Sequence, residues 1–77
     1  MNNIKVYTTN QCPWCIKVKN YLNSKNINYE EVNVGVNRAA AVEMVSKSGQ
    51  MGVPVIDING SIIVGFDKIR IDSLLDL

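Results

Sequence analysis

The sequence predicts an α/β fold in which three helices flank a four-stranded mixed sheet, in the order β-α-β-α-β-β-α. Three observations carry that expectation. Residues 4–8 alternate, with β-branched side chains prominent. Val18, Tyr21 and Leu22 then recur at helical spacing. Further on, Asn59-Gly60 separates two short apolar runs, the strongest short-range hairpin signal in the chain. The chain has 77 residues, of which 47% are hydrophobic, enough for one domain over residues 1–77 with a single small core.

The first strand sets Ile4, Val6 and Thr8 against Lys5 and Tyr7. Thr9, Asn10 and Gln11 form the loop that follows. An amphipathic helix is expected over 13–25, with Cys15 one turn before Val18 on the buried side, Lys17 and Lys19 toward solvent, and Lys25 at the negative end of the dipole. A second strand is expected over 27–34, where Glu30 and Glu31 suggest a sheet edge. Strand, helix and strand with short joints imply a right-handed crossover and a parallel pair. Gly35 breaks that strand, Asn37 caps a helix running to 48 with Ala41, Met44 and Val45 on its apolar face, and Gly49 ends it in the left-handed region. A strand over 53–58 turns at Asn59-Gly60 and returns antiparallel over 61–64. Asp67 caps a last helix whose buried stripe is Ile71, Leu74 and Leu75.

Cys12-Pro13-Trp14-Cys15 follows the first strand and holds the only two cysteines. Proline suits the first position of a helix, where its missing N–H has no intrahelical partner to lose. Cys12 is therefore expected at the helix mouth, its sulfur facing the free N–H groups of Trp14 and Cys15 and the positive end of the dipole, which favour a thiolate. Cys15 should be shielded. An attacking thiolate backed by a resolving thiol is the equipment of thiol–disulfide exchange.

Composition narrows the alternatives. Eight Lys plus Arg against seven Asp plus Glu give a net charge near +1 with no basic block, so neither nucleic acid nor a membrane surface is an expected partner. Met1-Asn2-Asn3 opens into a strand-like segment without a signal-peptide core, which points to the cytoplasm. In that setting a Cys-x-x-Cys spacing signals redox or metal chemistry rather than a staple. No histidine is present, which removes His-assisted nucleophiles and mixed Cys/His zinc sites within one chain.

With that element order and with Tyr7-Thr8, Cys12-Pro13-Trp14-Cys15, Ser48-Gly49, Val53-Pro54 and Gly65-Phe66-Asp67 in sequence, the chain resembles a glutaredoxin, the minimal form of the thioredoxin fold. The likeness runs from Ile4 to about Leu75. It implies a cis Val53-Pro54 bond beside the cysteines and a backbone at Val53 turned out to pair with a disulfide substrate. It also implies substrate contacts from Thr9, Pro13, Trp14, Val53, Pro54, Gly65, Phe66 and Asp67. Its partners would be disulfide-containing proteins, with glutathione or thioredoxin reductase as electron donor, a monomeric state and no bound cofactor or metal. Two positions depart from glutathione-dependent members. Thr9 stands where a basic residue is usual, and Ala41 where Gln or Arg is, while Arg38 lies one turn earlier. The Gly65-Phe66 pair within Val64-Gly65-Phe66-Asp67-Lys68 is more similar to the NrdH-type redoxins, which take electrons from thioredoxin reductase, although those redoxins often have other residues between their cysteines.

Each residue also has a plainer role open to it. The cysteines of two chains could together hold zinc or an iron–sulfur cluster, or their disulfide could act as a sensor. Trp14 could be packing, but an aromatic at a helix mouth beside a nucleophile favours contact with partners. Met51 and Phe66 could be core filler, or an apolar rim around Cys12. Lys17 and Lys19 read as solvated helix residues, and Asp67 mainly as a cap.

Overall fold

The chain lays down seven elements in the expected order: β1 (Ile4–Thr8), α1 (Pro13–Ser24), β2 (Glu30–Asn33), α2 (Arg38–Ser48), β3 (Val55–Ile58), β4 (Ser61–Val64) and α3 (Lys68–Leu75). The structure, a computed structural model, describes residues 3–76. Met1 and Asn2, on which the reading of the chain start rested, and Leu77 lie outside the described residues.

The sheet order is β2-β1-β3-β4. β2 runs parallel to β1 from Lys5↔Glu30 to Thr8↔Asn33, and β3 and β4 are antiparallel additions. The ends of β1, β2 and β4 and the start of β3 therefore meet at one pole, where the β1–α1 loop delivers Cys12. Strand alternation splits the core in two. Ile4, Val6, Ile56, Ile58 and Ile63 pack with Val18 and Leu22 of α1 and Ile71 of α3. Tyr7 and Val55 face the other way onto Met44 of α2. The result is the minimal thioredoxin fold, with two helices on one face of the sheet and one on the other.

Local chemistry explains most boundaries. Asn37 and Asp67 accept the N–H groups of Ala40 and Arg70 as helix caps, at 3.0 and 3.2 Å. Gly49 ends α2 at φ 75°. Asn59 and Gly60 turn β3 into β4 at φ 53° and 96°, the pair of positive angles a tight hairpin requires.

Four expectations change. The strand expected over 53–58 begins only at Val55, after the cis Val53-Pro54 bond, because Pro54 has no N–H to give the ladder. The second strand is shorter than 27–34, because Asn26 turns left-handed at φ 57° and Ile27 donates to the Leu22 carbonyl at 3.0 Å. With the Asn26 N–H on Asn23 O, this is a Schellman closure of α1, and its Ile27–Leu22 contact spends the apolar residue in the core. The buried face of α2 is Ala40 and Met44; Ala41 and Val45 are half-buried. On α3, Ile71 is buried and Leu75 packs on the core, but Leu74 is exposed.

Candidate active site

Cys12 is the N-cap of α1 (φ −139°, ψ 98°), and Pro13 takes the first helical position. The Cys12 carbonyl accepts the Ile16 N–H at 3.2 Å, while its sulfur accepts the N–H of Cys15 at 3.1 Å. Trp14, expected as a second donor to the sulfur, makes no such bond among the described residues. Cys12 and Cys15 are joined as a disulfide with their Cα atoms 5.2 Å apart, so the pair stands in its oxidised form. Cys12 keeps 7% of its surface exposed and Cys15 1%.

Beside the pair, Trp14, Val53, Pro54, Gly65 and Phe66 line a shallow cleft of about 240 Å³. Three separate segments meet here for definite reasons. The Val53-Pro54 bond is cis. The Pro54 carbonyl accepts the Gly65 N–H at 2.8 Å, which brings the end of β4 alongside. Trp14 projects from the mouth of α1, 55% exposed, with Lys17 Nζ 4.3 Å from its ring centroid. Lys17 is exposed, as expected, and also lies over the Trp14 ring. Lys19 departs from expectation, pairing with Glu31 at 2.9 Å.

Of the remaining predicted site residues, Pro13 is exposed at the helix mouth, and Asp67 is half-buried as the cap of α3. Thr9 is half-buried and does not line the cleft. It lies next to Gly35, and a Cβ placed on that glycine would stand 3.8 Å from Thr9 Cγ2. Phe66 does belong to the apolar rim. Met51 does not: it is 80% exposed and lines a different groove with Arg38, Ala41, Val42, Val45 and Ser46.

The sequence reading missed the support behind Phe66. Its ring meets Tyr21 of α1 at 5.8 Å between centroids. The Tyr21 hydroxyl donates to Asp72 of α3, which Lys68 also contacts at 3.0 Å. Asp72 holds the Tyr21 phenol above its usual range, and the bonds from Tyr21 and then Lys68 hold Asp72 below the usual carboxylate range. At the end of β1, the fully buried Thr8 donates its hydroxyl to Glu31 at 3.0 Å. Glu31 is lowered chiefly by the Lys19 hydrogen bond, so it stands as a carboxylate. Among the described residues no group of three or more His, Cys, Asp and Glu could hold a metal ion, and no helix is long and apolar enough to cross a membrane.

A cysteine pair at the mouth of α1, beside a cis-proline on a four-stranded mixed sheet, defines a thioredoxin-fold protein with a dithiol–disulfide centre. The glutaredoxin family model matches residues 4–63, and the chain belongs to the glutaredoxin family. It is 55% identical over 73 residues to an uncharacterized glutaredoxin-like 8.6 kDa protein in the rubredoxin operon of Clostridium pasteurianum, covering 95% of this chain and 97% of that one. It is 36% identical over 69 residues to glutaredoxin 3 of Escherichia coli K12, covering 90% and 83%. A crystallised mutant of the thioredoxin-like protein BC3987 superposes with a TM-score of 0.91 at 32% identity, covering 99% of this chain and 97% of that one. The chain is a thiol–disulfide oxidoreductase.

Proposed function

We propose that this is a monomeric cytoplasmic dithiol carrier, a single glutaredoxin-like domain over residues 1–77, that reduces protein or small-molecule disulfides through Cys12-Pro13-Trp14-Cys15. The observation that supports it most is the N-cap placement of Cys12. In the reduced form the Cys15 N–H and the positive helix end favour the thiolate there. That thiolate attacks one sulfur of the substrate disulfide. A Cys12–substrate bond forms, the substrate S–S bond breaks, and the first thiolate leaves and takes a proton from water. Cys15 gives its proton to water and attacks the Cys12 sulfur; the protein disulfide closes, and the second substrate sulfur leaves as a thiolate that takes a proton from water. Two electrons and two protons pass in total. The second step is intramolecular between neighbours already one turn apart.

Trp14, Val53, Pro54, Gly65 and Phe66 receive the substrate, with Thr9, Pro13 and Asp67 at the margins. The carrier holds no resident cofactor or metal and is returned to the dithiol by glutathione or thioredoxin reductase. Thr9 and Ala41 offer no charge to the glutathione carboxylates, which leaves Arg38 as the cation nearest that role by sequence. The test is NADPH oxidation with bis(2-hydroxyethyl) disulfide, run in parallel with glutathione plus glutathione reductase and with thioredoxin reductase alone. Turnover in the first arm makes glutathione the donor, and turnover only in the second makes thioredoxin reductase the donor. Turnover in neither overturns the carrier reading.

A further inference from the structure

α2 is apolar on the side that the sheet does not cover. The sheet face takes Ala40 and Met44, yet the helix also carries Ala39, Ala41, Val42 and Val45. Val42 is 66% exposed, and Met51 returns along the outside of the helix at 80% exposed. Together with Arg38, Ala41, Val45 and Ser46 they form a groove of about 440 Å³. A surface helix ordinarily turns charge outward, and a contiguous exposed apolar patch marks a contact.

We propose that this groove seats an apolar side chain of a polypeptide substrate, a few residues from the cysteine whose disulfide Cys12 attacks, with Arg38 meeting a carboxylate beyond it. The proposal rests on the dithiol-carrier reading and names the substrate class for that same site. Two observations choose the occupant. The first is continuity: Met51 in the groove is joined through the single residue Gly52 to Val53 in the cleft, so the two sites are two residues apart along the chain. The second is charge. Arg38 opens α2, lines the groove and, among the described residues, makes no ion pair or hydrogen bond through its side chain. An unpartnered cation at the groove mouth complements an acidic residue in the partner. Glutathione has no apolar side chain to enter such a groove, so the gain is confined to polypeptides.

The test is single turnover, which removes the electron donor from the measurement. Protein reduced with dithiothreitol and desalted is mixed with serine-rich peptide disulfides in which one leucine is walked outward from the cysteine, and with bis(2-hydroxyethyl) disulfide. Released thiol is followed by quenched flow. One leucine register is expected to react about tenfold faster than the all-serine parent, the scale of burying most of one leucine side chain. Glutamate placed beyond it adds a further gain that Arg38→Gln removes. Val42→Asp and, separately, Met51→Ser cancel the leucine gain and leave the bis(2-hydroxyethyl) disulfide rate unchanged, which also reports that both variants are folded. Equal rates for every register, or a leucine gain that survives both substitutions, overturn the groove proposal while leaving the carrier reading intact. Failure of the reduced protein to react with any of these disulfides overturns both.

Discussion

Cys12 and Cys15 share one helical turn but meet solvent unequally, and the proposed order of reaction, Cys12 first and Cys15 second, follows that inequality. Cys12→Ser is expected to abolish disulfide reduction. Cys15→Ser is expected to stop at the mixed disulfide, visible by mass spectrometry as an adduct on Cys12 that dithiothreitol removes. Identical behaviour of the two variants would reverse or dissolve the assignment. At the same scale, alkylation of reduced Cys12 by iodoacetamide should report a thiol titrating below the free-cysteine value of about 8.5. A rate that rises only above that value would remove the helix mouth as the source of activation.

Among the elements, α1 carries the chemistry and depends on both of its ends. Its start is written in the sequence by Pro13, and its stop by Asn26, which the alternation of Ile27 and Tyr29 with polar neighbours disguised as the beginning of a strand. Asn26→Val forces a β-branched residue into the left-handed region and is expected to lower stability by about 1–2 kcal/mol. Asn37→Ala removes the cap of α2 at a cost of about 1 kcal/mol. Urea unfolding midpoints measure both, and unchanged midpoints would show that neither terminus limits stability.

The same elements explain what could be read beforehand. β1, β4 and the start of α1 coincide with expectation because the alternation of residues 4–8, Asn59-Gly60 and Pro13 mark them locally. The cleft residues Trp14, Val53, Pro54, Gly65 and Phe66 were legible through recognisable segments, and Lys17 over Trp14 is a helical i,i+3 pair that the spacing contained. Tyr21 with Asp72 was not legible, since the bond spans 51 positions and neither residue carries a local sign of the other. Met51 was misplaced for a related reason: nothing in Gln50-Met51-Gly52 says which side of α2 the loop follows.

At the scale of the molecule, the sheet has a redox pole and an opposite, polar one. The opposite pole is held by Lys5, Glu43, Lys47 and Asp57, with Lys47 donating to Asp57 at 2.8 Å and to the Tyr7 hydroxyl at 3.1 Å. Along the sheet edge, Glu31 ties β2 to β1 and α1 through Thr8 and Lys19. Its carboxyl is lowered in the folded chain, so the stabilisation is complete above the unfolded value of 4.5, declines beneath it, and is gone once pH has fallen through the folded value. Glu31→Gln is accordingly expected to flatten the acid side of a plot of urea midpoint against pH. An acid limb as steep as that of the parent would assign the loss to other carboxylates.

The Asn59-Gly60 turn lies across the sheet from Cys12, and it is tied to the chain start by the mutual pair Asn3 N–H to Asn59 Oδ1 and Asn59 N–H to Asn3 O, at 2.7 and 2.8 Å. A linker spliced in after Gly60 therefore leaves from the side remote from the cysteines. Anchored there to an electrode or a bead, the protein presents its cysteine end outward, and a disulfide arriving from solution meets it unobstructed.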